Sequence, residues 1–174
     1  MAQSGSISRR RWLVLGGAAV AVGGVGWFAA DLGEAEPGRN RVRTDVAPLL
    51  RLFSAVGPLS DPHWLDYSPN DSGRELLPDQ DPQLRVVGVA HLPEGSVAAV
   101  VGVPAFGFDH AEPTGRPKSL ERFLPSEARW MHSAAFDVHV TNSRYQGAFY
   151  VDRTTDSLYF DAMNPVPLDG VQTP

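Results

Sequence analysis

The sequence predicts an α+β protein: a small domain with an antiparallel sheet and one or two helices, preceded by an N-terminal membrane or signal helix. Three observations predict it. Residues 130–163 alternate apolar and polar side chains in three runs separated by turn residues, the pattern of a three-strand meander. "LRVVGVAHL" (84–92) is rich in valine with apolar residues on both faces, as in a central strand. "TDVAPLLRLFSAVG" (44–57) places Val46, Leu49, Leu50 and Phe53 at i, i+3, i+4 and i+7, a helical stripe that Thr44 or Asp45 can cap and Gly57 can end.

The chain opens differently. Arg9, Arg10 and Arg11 run into nineteen uncharged residues, Trp12–Ala30. A helix of that length spans roughly 28 Å, close to the ~30 Å hydrocarbon core of a bilayer. Five of those residues are glycine (Gly16, Gly17, Gly23, Gly24 and Gly26), so the segment is only weakly hydrophobic and loosely helical. Ser8-Arg9-Arg10-Arg11-Trp12-Leu13 resembles the twin-arginine export motif, with Trp12 where phenylalanine is commoner and without the lysine that often follows the leucine. Arg9 and Arg10 are the export residues that this resemblance implies. A cut after Ala29 or Ala30 would put Trp27 or Phe28 at the −3 position, and a cut after Ala35, with Gly33 at −3, lies late, so residues 1–30 are expected to act as a signal peptide or to stay as a membrane anchor. Three arginines precede the run and Asp31, Glu34 and Glu36 follow it, which orients the C-terminal part outside the cytoplasm, at the membrane or secreted.

Residues 31–43 are polar, with Pro37 and Gly38, and read as a linker to the extracytoplasmic domain, 44–174. After residue 30 the chain holds 12 Lys+Arg against 20 Asp+Glu, a net charge of −8, which argues against nucleic-acid binding. There is no cysteine, so disulfides, thiol catalysis and cysteine metal sites are excluded.

Residues 58–83 carry five aspartates and five prolines and read as a long loop, of the kind that often carries function. His63, Trp64, Asp66 and Tyr67 cluster there. Asp66, Ser68 and Asn70 have the spacing of a calcium loop, but Asp71 and Leu77 stand where such a loop needs glycine and an acid, so the motif fails. "PEGSVAAVVG" (93–102) fits a short helix ended by Gly102, with a strand as the alternative, and 103–129 returns to loop with one helical turn at "SLERFL". In the meander, "RWMHSAAFDVHVT" reads as a strand with Trp130, His132, Phe136 and Val140 facing the core and Asp137 and His139 facing away. "YQGAFYVD" and "SLYFDAM" then place Phe149, Val151, Leu158 and Phe160 in the core and pair Tyr150 with Tyr159 on the exposed face. Asn164-Pro165 ends the last strand.

Five histidines invite a metal or a catalytic base, but no metal-ligand spacing, nucleophile elbow or phosphate-cradling loop occurs, and no cofactor is expected. Beyond the export motif the chain resembles small uncharacterised exported proteins of high-GC bacteria. The expected function is non-catalytic: a tethered or secreted domain binding a cell-envelope protein or glycan through Tyr150, Tyr159, Asp137, His139 and Trp64. The alternative is an extracytoplasmic hydrolase, with His63, Asp66 or His139 as the acid–base groups.

Overall fold

The computed structural model describes residues 41–69 and 83–167, so the export motif, the apolar run and most of the linker lie outside the described residues. The chain divides between residues 35 and 36, and everything below concerns the second unit, 36–174. Within it, no helix among the described residues is long and apolar enough to cross a membrane.

Among the described residues the second unit is built on six antiparallel strands: β1 (Ser60–Tyr67), β2 (Arg85–His91), β3 (Asp109–His110), β4 (Met131–His132), β5 (Gln146–Asp152) and β6 (Ser157–Met163). They lie in the order β1-β2-β6-β5-β4-β3. As its composition requires, β2 is interior, paired with β1 on one side and β6 on the other. Gly88 is the close-approach point: a Cβ there would stand 2.5 Å from Trp64 Cβ, 2.7 Å from the His63 carbonyl oxygen and 2.7 Å from Phe160 Cζ. The β5–β6 hairpin has the expected register, with Phe149 opposite Phe160 and Val151 opposite Leu158, all four fully buried.

Among the described residues four short α-helices cover the sheet: α1 (Ala47–Leu52), α2 (Ser96–Val101), α3 (Lys118–Glu121) and α4 (Ala134–Thr141). Leu49 and Phe53 from the α1 region, Val97 of α2, and Phe136 and Val140 of α4 pack onto the face that carries Trp64, Phe149 and Phe160. The opposite face, with Leu65, Val87, Val89 and Tyr159, is covered by the α3 region and the irregular chain around it through Leu120, Phe123, Leu124 and Trp130.

Several expectations need correction. Val46, not Thr44 or Asp45, stands at the N-cap of α1, and Asp45 instead bonds Arg43. Part of the expected loop 58–83 is strand β1; its bulge near Asp61 and Pro62 is the irregularity an edge strand tolerates. Residues 70–82 lie outside the described residues. The strand expected over 130–141 ends at His132, because Ser133 caps a helix there. Its Oγ accepts from Phe136 N at 3.1 Å and donates to the Phe106 carbonyl. The three C-terminal strands therefore remain antiparallel neighbours, but α4 lies between the first and the second.

The turn between β5 and β6 serves distant parts of the chain. Asp156, at φ 48°, accepts from Gly95 N (2.9 Å) and Val97 N (3.1 Å) through its carboxylate, and its carbonyl accepts from Leu92 N (2.8 Å). Asp152 accepts from Arg129 N at 3.0 Å and from Thr155.

Candidate functional site

Because 134–141 is a helix, His132 and Asp137, expected on opposite sides of a strand, come together. Strand β4 is two residues long, so beyond it the β5 edge loses its strand partner. Helix α4 turns back along that edge, and Asp137 Oδ1 accepts from Phe149 N at 2.8 Å. Its other oxygen, Oδ2, lies 2.7 Å from His132 Nε2. The imidazole stacks on Tyr150, centroids 4.7 Å apart. Tyr150 meets Tyr159 edge-on at 6.1 Å, and Tyr159 meets Trp130 at 6.3 Å. A row of rings thus crosses the second sheet face from its buried middle to a half-open edge.

Burial raises the Asp137 carboxyl above the ordinary carboxylate range, against the opposing pull of the Phe149 amide and His132. Tyr150 is raised by burial and by the nearby charges of Asp137 and Asp161. Tyr159 is fully buried, its hydroxyl has no hydrogen-bond partner among the described residues, and burial raises its pKa.

Next to this row Arg85 forms a two-pronged pair with Asp161, Nε to Oδ1 at 2.8 Å and Nη2 to Oδ2 at 2.5 Å. Arg85 also donates to the Tyr67 hydroxyl at 2.9 Å and to the Gly115 carbonyl at 3.1 Å. The bond to Asp161 raises the guanidinium pKa further. Beside the pair opens a depression of about 590 Å³ whose lining includes Arg85, Asp161, Gln146, Ala148 and Met163.

The residues expected to do chemistry are scattered. His63 stacks on Phe123 at 3.8 Å, and Asp66, of opposite parity on β1, pairs with Arg43 at 2.7 Å. His110 lies on β3, at the other end of the strand order. His139 is on α4, exposed, against Phe106 at 5.3 Å. Asp137 and His139 do not share a strand face, since both are on the helix. Trp64 is 2 % exposed and donates its indole N–H to the Asp45 carbonyl at 3.0 Å, and Tyr159 is 0 % exposed, so neither is a surface platform. Of the expected binding residues, Tyr150 and Asp137 stay half-open. Among the described residues no three His, Asp or Glu side chains gather as metal ligands. No protein-family model, curated protein or solved structure matches this chain.

Proposed function

We propose that this protein is an exported or membrane-tethered domain that binds a cell-envelope protein or glycan. The observation that carries the reading is the order along the N-terminus: Arg9–Arg11, an uncharged run of bilayer length, then an acidic polar segment leading into a folded domain. The binding surface is the half-open end of the ring row, Tyr150 with His132 and Asp137, together with Asp161. Tyr150 offers an aromatic face already ordered by its stacked neighbour, which lowers the entropic cost of binding. Reporter fusions to the C-terminus test the localisation. Activity only outside the cytoplasm, lost when Arg9 and Arg10 are both changed to lysine, is the expected result. Normal export after deletion of residues 9–30 would overturn it.

The His132–Asp137 pair favours a second reading, a hydrolase in which Asp137 orients His132 as general base. Turnover of ester, peptide or phosphoester probes that vanishes in both His132→Gln and Asp137→Asn would select it over the first.

A further inference from the structure

Two histidines far apart in the sequence share one face of the sheet. His63 on β1 lies opposite Val89 on β2, and His91 follows Val89 by two residues, so both side chains rise from the face that carries Val89 and Tyr159. Diagonal neighbours of this kind stand roughly 7–8 Å apart, within reach of side chains as long as imidazole. Both rings are half-buried. Each has its Nδ1 set against a backbone carbonyl, His63 on Asp61 at 3.2 Å and His91 on Thr155 at 3.3 Å. A carbonyl oxygen only accepts, so in each neutral ring the proton sits on Nδ1 and the lone pair on Nε2. The β1 bulge places the first of these carbonyls, at Asp61 with φ 45°.

His91 is fixed a second time, by a row of side chains whose protons have one order. Burial works against the charge on Asp152, but the Thr155 hydroxyl and the Arg129 amide hold its carboxyl below the ordinary range. The carboxylate only accepts, and the Thr155 hydroxyl gives it a proton at 2.6 Å. Ser157 Oγ, 2.7 Å from Thr155 Oγ1, must then donate to it. With its own proton spent, Ser157 accepts from His91 Nδ1 at 3.2 Å. Ser157 and Asp152 are both fully buried, so this order is shielded from water.

We propose that His63 and His91 together bind a late first-row divalent metal ion, copper(II) foremost, through their two Nε2 atoms, with water in the remaining positions. Histidines that ligate a metal donate their other ring nitrogen to a carbonyl, a carboxylate or water, and both of these do so. Phe123 stacks on the His63 ring at 3.8 Å. Stacking takes a ring face, whereas the lone pair lies in the ring plane, so Phe123 orients the ligand without blocking it. The Arg122 guanidinium stands 4.7 Å over the Phe123 ring, and the chain has no cysteine to offer a thiolate. The ion is therefore one whose bonds to neutral imidazole outweigh a neighbouring positive charge, and among the first-row divalent ions copper(II) makes the strongest.

The test titrates the full chain in detergent with copper(II) and counts the coordinated imidazoles by pulsed electron paramagnetic resonance. One ion bound by two imidazoles is the expected result in the parent. His63→Gln and His91→Gln should each abolish the two-imidazole signal and weaken binding, while His110→Gln, on the far edge strand β3, should change neither. Ser157→Ala keeps both ligands but releases the His91 tautomer, so it should weaken binding by roughly 10–100-fold with two imidazoles still counted at saturation. A single imidazole in the parent, or parent-like binding in either glutamine variant, would overturn the pairing. The parent count needs no substitution, so it decides the pairing even where a variant fails to fold. Parent-like affinity in Ser157→Ala would overturn the row from Asp152 as the part that positions His91.

Discussion

Tyr159→Phe should make this domain more stable. The hydroxyl it removes is fully buried and has no hydrogen-bond partner among the described residues, although the charged pair Arg85–Asp161 lies in its neighbourhood. A buried polar group left unpaired costs about 1–3 kcal/mol relative to its hydrated state in the unfolded chain. Phenylalanine keeps the ring, and with it the edge contacts to Trp130 and Tyr150. The void left by one oxygen takes back part of the gain, so a net stabilisation of about 1 kcal/mol is expected. At a urea slope of about 2 kcal/mol/M that is a midpoint shift of roughly 0.5 M, measurable on the chain from Glu36 onward. Tyr159→Ala removes the ring as well and should cost about 3–5 kcal/mol, the same range as Phe149→Ala or Phe160→Ala. Tyr150→Ala, at the half-open end of the row, should cost clearly less. If Tyr159→Phe is destabilising by 1 kcal/mol or more, by the same scale the hydroxyl has an acceptor and the reasoning fails.

Two further outcomes follow from the packing and the charges. Gly88→Ala drives a Cβ into Trp64 Cβ, the His63 carbonyl oxygen and the Phe160 ring, 2.5–2.7 Å away on β1 and β6, so the loss should reach or exceed about 3 kcal/mol, the upper end of overpacking, and a urea midpoint near that of the parent would refute it. For Asp137 burial raises the folded-state pKa above the unfolded value, so its contribution is present in acid below the unfolded pKa and lost as pH rises through the folded one. Between the ordinary carboxylate range and neutral pH the parent should therefore lose stability that Asp137→Asn does not lose, and parallel stability–pH curves for the two proteins would rule this out.

The parts of the fold that were legible in the sequence are those whose pattern is local. β2 announces itself by valines on both faces, the β5–β6 hairpin by its alternation around the turn residues, and α1 by Leu49 and Phe53, both fully buried. Residues 130–141 mislead because two periods coincide there. Phe136 and Val140 satisfy a helical i, i+4 spacing as well as strand alternation, and Val138, which a strand would have buried, is 55 % exposed. The deciding signal was Ser133, a good N-cap followed by two alanines, strong helix formers. β1 was hidden by Pro62 and the aspartates, which break an interior strand but not an edge. The candidate site was illegible for the same reason as α4: His132 and Asp137 are five residues apart and meet only if a helix begins between them. The burial of Tyr159 depends on the proline-rich chain around α3, which has no periodicity from which its packing could be read.

Asp156 ties the order of folding to the order of the chain. Helix α2 has six residues, too few to persist alone in water, and neither its N-cap, Gly95, nor any neighbour in sequence supplies a capping side chain. The carboxylate that receives its first amides arrives from 59 and 61 residues downstream. During synthesis, then, the segment 93–102 leaves the ribosome well before the group that completes it, and it waits as unstructured chain until the β5–β6 hairpin closes. The helix and the hairpin turn form one cooperative unit, made together and lost together, although on paper they stand in different thirds of the protein.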